Sequence, residues 1–288
     1  MHKENTNLQR YLRNEPHRVP LGYEEYAGDK QFATTLARGI ELIRCFSADE
    51  TVLSNAELAE RTGLARPTVS RLTYTLVLLG YLKPSAKYGK YQLGSALLSA
   101  TYPLMASISL RHQARTAMEM LADETGGQVS MGIRDRLNIV LVETSRSRRR
   151  ARGQLQGPMA DTGLSLPIAG TAIGRAWLAG CDEATRAAVL NEIRVKTASD
   201  WAQFERPIGL ALKDCARDGF CVIEGDLLHD IHAVGVPYGR TAEGELVAFN
   251  CAFQGPLPPS SQGKSWLRDV VGLKLLNMVR LLREGRHA

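Results

Sequence analysis

Set at about 100° per residue, Pro67, Ser70, Arg71 and Tyr74 fall on one side of a helix, and Val69, Leu72, Leu76 and Leu79 on the other. The solvent side carries a hydroxyl, a guanidinium and a phenol, with Arg66 and Thr68 beside them and no carboxylate. An α-helix fits the major groove of DNA. There arginine pairs bidentately with guanine O6 and N7, and serine or threonine reaches several base edges. A hairpin follows, with Lys83, Lys87 and Lys90 interleaved with Tyr81, Tyr88 and Tyr91. Such a loop suits phosphates or an adjacent minor groove. The competing reading is a three-helix protein-interaction module with a solvated basic face, and Arg44 and Arg61 are expected on solvated faces in either case.

The elements that must position these groups are legible in outline. Leu36, Ile40, Ile43 and Phe46 recur on one helical face from Thr34. Ser54 and Glu57 have capping-box spacing and open a second helix, which Gly63 ends. The third helix starts near Pro67, where a missing N–H costs nothing, and ends at Gly80. Pro103 is expected to interrupt the helical pattern of 95–125, separating a linker helix ending near Tyr102 from a helix over about 107–125. Beyond it, strands are expected near 129–133, 139–142, 220–224, 232–238 and 245–253. Helices are expected near 170–179, 182–193, 207–218 and 261–284. Strands joined by short turns with helices grouped together imply an α+β fold on a mainly antiparallel sheet.

The 288 residues suffice for two domains, each with its own core. The boundaries expected are an arm over 1–30, a DNA-binding domain over 31–94, a linker helix over 95–110 and a second domain over 111–288. With 23% charged and 44% hydrophobic residues, global disorder is excluded. The net charge of +6 is uneven: positions 30–95 carry nine basic and five acidic residues, whereas 200–260 carry nine acidic and four basic. An anionic partner is expected at the first domain. The five cysteines are odd in number and none is spaced C-x-x-C, which fits reduced thiols in a cytoplasm rather than disulfides or a zinc ribbon. No apolar run approaches the ~20 residues of a membrane span, and the polar N-terminus is no secretory signal.

Residues 34–94, and above all the run A-E-L-A-x-x-T-G-L-x-R-x-T-x-x-R-L over 56–72, resemble the N-terminal domain of the IclR family of bacterial transcription regulators. The resemblance implies a winged helix-turn-helix that binds double-stranded operator DNA as a dimer. It puts Arg66, Thr68, Ser70 and Arg71 in the contacting places. Pro67 stands where the family usually has serine, which removes one hydroxyl.

The rest of the chain resembles the same family's effector-binding domain, an antiparallel, GAF-like sheet. The segment Gly163–Ala176 matches its G-x-x-x-P-L-x-x-T-A-x-G-K/R-A pattern, placing Pro167, Ala169, Gly170, Thr171 and Ala172 at the effector. This is a loop entering a helix N-terminus, where exposed N–H groups and the dipole favour an anion, so a carboxylate-bearing metabolite suits it. Gly219–Val222 matches the family's G-Y/F-x-V strand, and 225–237 and 248–251 resemble one of its branches. From these come Asp226, Asp230, His232 and Asn250 as polar groups lining a mostly apolar cavity, with the thiol of Cys251 beside it. The plainer readings stay open: turn caps for the two aspartates, a structural role for His232, a satisfied strand hydrogen bond for Asn250, and core packing for Cys221 and Cys251.

Asp226, His229, Asp230 and His232 do not have zinc spacing, and no base is placed to activate Ser165, so neither metal nor cofactor is expected. Five arginines within Arg146–Arg152 form the densest charge run, read as a solvated loop, an acidic subunit contact or an auxiliary DNA contact. The expectation is a cytoplasmic, homo-oligomeric regulator of a catabolic or transport operon, answering to a small organic acid. It would dimerise through the first helices and the linker helix, with dimers pairing further as the resemblance implies, and would read near-palindromic half-sites. Two alternatives stand: a metabolite-converting enzyme in 111–288, and a redox switch through Cys221 or Cys251.

Overall fold

Ser54 and Glu57 form the capping box that their spacing predicts. Ser54 Oγ accepts the Glu57 N–H at 3.2 Å, and Glu57 Oε2 accepts the Ser54 N–H at 2.7 Å. In the computed structural model, residues 29–147, 160–257 and 265–285 are described. The chain divides into two compact units that meet between Ala106 and Ser107. The arm over 1–30 lies outside the described residues except for its last two positions, as does the arginine run beyond Ser147.

The first unit runs α1 (Thr34–Arg44), β1 (Leu53–Ser54), α2 (Asn55–Thr62), α3 (Arg66–Leu78), β2 (Leu82–Pro84), β3 (Lys90–Leu93) and α4 (Ala96–Ser107). Its three strands form an antiparallel sheet in the order β1-β3-β2. Gly63 ends α2 at φ 67°, a left-handed turn that glycine adopts without a Cβ penalty, and this sets the angle between α2 and α3. Leu42, Cys45, Phe46, Leu53, Leu58, Val69 and Leu82 make the core.

Three expectations need correction here. Only the later half of the periodic face at α1 turns inward: Leu36 and Ile40 are exposed and Ile43 is half-buried, while Phe46 joins Gly39, Leu42 and Cys45 inside. Apolar residues lie on two sides of this helix, so periodicity does not decide which side meets the core. Leu79, expected inward, is exposed, and Thr73 takes an inner place, its hydroxyl donating to the Val69 carbonyl at 3.0 Å. Pro103 does not end the linker helix. α4 continues through it with no buried residue, and the break comes at the buried Ile108. On an exposed helix the lost hydrogen bond of a proline is answered by water.

The second unit runs α5 (Ser109–Thr125), β4 (Gln128–Asp135), β5 (Asn138–Arg146), β6 (Ser165–Pro167), α6 (Ala172–Gly180), α7 (Glu183–Lys196), α8 (Ala198–Asp218), β7 (Cys221–Glu224), β8 (Ile231–Arg240), β9 (Leu246–Gln254), a π-helical segment (Leu267–Gly272) and α9 (Leu273–Arg283). The six strands form one antiparallel sheet in the order β6-β5-β4-β9-β8-β7. The sequence reading missed β6, which is too short for a period-2 signal. It also started α8 at Pro207, whereas the buried stripe Phe204, Ile208, Ala211 and Cys215 carries that helix back to Ala198. Nor is 261–284 one regular helix: its described part is the π-helical segment followed by α9.

α6 lies on one face of the sheet, with α7 and α8 behind it, and α5 and α9 cover the other face. Gly235 shows which side chains meet α6. A Cβ there would stand 2.2 Å from the Ala172 carbonyl oxygen, so only glycine admits the helix this closely. Register carries that direction across the strands. Cys221, Gly235, Asn250, Ser130 and Thr144 form one row facing α6. Ile223, Ala233, Ala252, Gln128 and Arg146 form the next row on the same face. The residues between them face α5 and α9.

Candidate functional site

The first candidate surface is the outer side of α3 with the hairpin after it. Arg66, Pro67, Ser70, Arg71 and Tyr74 are exposed and Thr68 is half-buried, while Val69 and Thr73 anchor the helix from below. Neither the Arg66 nor the Arg71 guanidinium is held by a carboxylate among the described residues, so both are free to reach a partner. At the hairpin tip Tyr88 is fully exposed, with Lys83 and Lys87 also exposed near it.

Lys90 differs from the other hairpin lysines. Its Nζ lies 3.0 and 3.1 Å from the two oxygens of Glu57, tying β3 to the start of α2. The Ser54 backbone N–H, then the Ser54 hydroxyl and the Lys90 ammonium, hold the Glu57 carboxyl down at about 2. A carboxyl lowered on folding stabilises above its ordinary range and loses that contribution as pH falls. The α2 cap is therefore expected to weaken between about pH 4.5 and about pH 2, and Glu57→Gln to flatten that loss. Acid titration of the Ser54 and Glu57 amide signals by NMR checks this; identical titrations in both proteins would refute it.

The second candidate site surrounds the first turn of α6. Thr171 caps the helix, its Oγ1 accepting the Gly174 N–H at 3.2 Å and donating to the Pro167 carbonyl at 2.7 Å. Arg175 folds back toward the helix start, as helical side chains do. Its Nε donates to the Ala169 carbonyl at 2.9 Å and its Nη1 to Asp226 Oδ2 at 2.5 Å, with the guanidinium carbon 5.7 Å from the Phe204 ring centre. The side chain is only 2% exposed, and its Nη2 is buried without a hydrogen-bond partner among the described residues. Gly170 lets Leu227 approach, since a Cβ there would meet Leu227 Cδ1 at 2.8 Å. A buried cation thus adds to the positive end of the helix dipole, with one aspartate opposing it.

On the facing sheet, Ala233 and Ala252 pack with Ala172 and Ile223 into a small apolar patch. Asn250 is buried, and its Oδ1 accepts no hydrogen bond among the described residues. Ser130, also buried, accepts from Thr144 Oγ1 at 3.2 Å. Gln128 Nε2 and Arg146 Nη2 each donate to the Ala160 carbonyl at 2.7 Å, closing one side.

Pro167, Ala169, Gly170, Thr171, Ala172 and Asp226 therefore gather at the start of α6, with Asn250 on the sheet opposite. Asp230 stands apart, its carboxylate engaged by Gln254 Nε2 at 3.0 Å. His232 and Cys251 alternate with the α6-facing residues and so point to the other face. There Cys251 Sγ lies 3.6 Å from Thr125 Oγ1, and Phe253, the cross-strand partner of His232, meets Trp266 edge-on. Burial pushes the Cys251 thiol up to about 12, so at neutral pH it is a protonated core group, not a nucleophile. Sequence reasoning missed Arg175, Ser130 and Thr144. For Arg175 the signal was a single charge inside the otherwise apolar helix AIGRAWLAG. Among the described residues no cluster of His, Cys, Asp or Glu could hold a metal ion, and no helix is long and apolar enough to cross a membrane.

Comparison with known proteins bears on both units. Residues 35–85 match the IclR helix-turn-helix domain, and residues 103–250 match the bacterial transcriptional regulator IclR C-terminal domain. The HTH-type transcriptional regulator TsaQ1/TsaQ2 of Comamonas testosteroni is 33% identical, over 85% of this chain and 86% of its own. The crystal structure of an IclR family transcriptional regulator from Brucella abortus is 35% identical with a TM-score of 0.75, over 89% of this chain and 94% of that one. An IclR homologue from Microbacterium hydrocarbonoxydans, crystallised with 4-hydroxybenzoate, shares the fold at 18% identity and a TM-score of 0.65, over 87% of this chain and 98% of that one. A helix-turn-helix unit with free arginines on its third helix, joined to a six-stranded sheet unit of this kind, places the chain in the IclR family of DNA-binding bacterial transcriptional regulators.

Proposed function

We propose that this regulator is a cytoplasmic, self-associating protein that binds operator half-sites through α3 and the hairpin, and whose hold on DNA depends on a small organic acid bound at the first turn of α6. The observation that carries the acid is Arg175: a buried guanidinium with an unpartnered Nη2 at a helix N-terminus calls for a second anionic acceptor. The apolar lining from Ala172, Ile223, Ala233 and Ala252 suits the body of such a ligand. The bound 4-hydroxybenzoate of the Microbacterium homologue makes aromatic acids the first probes, and a catabolic or transport operon the expected target. Leu36 and Ile40 on α1, and Leu98, Tyr102 and Leu104 on α4, are large apolar side chains left exposed, which supports pairing of two chains there. An acid changes DNA affinity only if it binds the competent and incompetent arrangements unequally.

Calorimetry of the full-length chain against benzoate and short-chain carboxylates tests the reading, together with footprinting on the DNA flanking its gene with and without each acid. Saturable binding that alters the footprint is the expected result. A footprint that no acid changes, with no heat of binding, would overturn it.

A further inference from the structure

Pro67, Arg71, Tyr74 and Leu78 stand at i, i+4, i+7 and i+11, one line down the outer side of α3, and all four are exposed. Apart from Arg71, the line is largely apolar. Tyr74 is 66% and Leu78 68% exposed, and neither belongs to the first unit's core. Large apolar groups left on a surface mark a place of contact. Pro67 is the second residue of α3, between Arg66 and Arg71, at the end where a reading helix meets base edges. The fold does not require a proline there. The first N–H groups of a helix have no partner within it, so a residue with an N–H sits there equally well. What Pro67 offers a groove is a ring of methylene groups with no side-chain donor or acceptor. Base edges in the major groove present hydrogen-bonding groups and one apolar group, the C5-methyl of thymine. The proline ring has no rotamer freedom to lose on burial, so the contact keeps its full worth.

We infer that Pro67 reads the methyl group of a thymine lying beside the guanine that Arg66 or Arg71 pairs with. This rests on the reading of α3 as the operator helix. A serine at this place would seek a hydrogen-bonding base edge or a phosphate. The proline therefore changes which sequence the helix selects, and not how strongly the unit holds DNA in general. Tyr74 and Leu78 continue the apolar line away from the reading end.

The test is a uracil scan with the full-length protein. Footprinting on the DNA flanking its gene defines the operator, and each thymine of one half-site is then replaced by uracil in turn. Uracil lacks the C5-methyl and keeps every hydrogen-bonding group of the base pair. One such replacement is expected to weaken wild-type binding about fourfold, the worth of one buried methyl group. In Pro67→Ser the same replacement is expected to change affinity by less than about 1.5-fold, because the partner of the methyl group is already gone. Non-specific affinity and its salt slope are expected to match wild type, which shows the variant folded and only its selection changed. If no uracil weakens wild-type binding, or if the loss is equal in both proteins, the inference is overturned. A uniform loss across all sequences in Pro67→Ser would also overturn it and assign the proline to the seating of α3. An absent footprint, or one that Arg66→Ala/Arg71→Ala leaves unaltered, would instead remove the reading of α3 itself, and this inference with it.

Discussion

Asp226→Ala is expected to cost the second unit about 3 kcal/mol, because it leaves the Arg175 guanidinium buried without its counter-ion. Arg175 is almost fully enclosed while Asp226 is about a quarter exposed, so the two halves of the pair are not equivalent. Removing the cation instead, as in Arg175→Met, leaves a carboxylate that water can reach, and it is expected to cost less. Part of that cost is the Ala169 carbonyl losing its Nε donor. The double substitution is then expected to be more stable than Asp226→Ala alone, the signature of a coupled pair. Trp177, Trp201 and Trp266 all lie in the second unit, so urea unfolding followed by tryptophan fluorescence reads that unit alone. A change below about 0.5 kcal/mol for Asp226→Ala would mean that water already reaches the guanidinium. Such an outcome would also remove the physical ground for an anion site there. If the site does take an acid, that acid will stabilise Asp226→Ala more than wild type, since it replaces the missing charge.

How far the site could be read beforehand depended on which local rule was available. The outer face of α3 was legible because Val69, Leu72 and Leu76 recur on one side of the helix and no leucine, valine or isoleucine competes on the other over its first turns, and the exposed positions of Arg66, Ser70, Arg71 and Tyr74 follow. The inner face of α1 was legible only in part, since Leu36 and Ile40 continue the stripe of Ile43 and Phe46 and yet stay outside the core. In the second unit, alternation alone forbids adjacent Asn250 and Cys251 from lining one cavity, so one had to be withdrawn on sequence grounds. Deciding which one needed tertiary information, namely the close approach of Ala172 to Gly235. His232 falls with Cys251 for the same reason of parity. Arg175 was hidden differently. Its segment was read for backbone amides and small residues, whereas the strongest charge there is a side chain that turns back over the same loop. Lys90 was counted with the hairpin cations because composition shows charges and not their partners; Glu57, thirty-three residues earlier, was visible only as a capping residue.

Replacing both Arg66 and Arg71 by alanine is expected to lower affinity for the cognate operator about a hundredfold while leaving non-specific binding within a few-fold. Each arginine that pairs bidentately with a guanine is worth about 1–3 kcal/mol of discrimination, and contacts to separate base pairs add approximately. Both side chains are exposed on α3 and uncommitted among the described residues, so no intramolecular bond is broken by removing them and the fold is unaffected. The hairpin separates two further outcomes. Lys87→Ala is expected to weaken all sequences alike and to reduce the slope of log affinity against log salt by about 0.9, the loss of one phosphate contact. Lys90→Gln removes an ammonium already neutralised by Glu57, so it is expected to leave that slope nearly unchanged and to act through the seating of β3 on α2. Salt titrations of the three variants on cognate and scrambled duplexes distinguish these roles. An unaltered footprint in Arg66→Ala/Arg71→Ala would remove α3 as the reading helix. A slope change in Lys90→Gln as large as in Lys87→Ala would mean that DNA draws Lys90 away from Glu57, making the ion pair a resting arrangement of the hairpin instead of its brace.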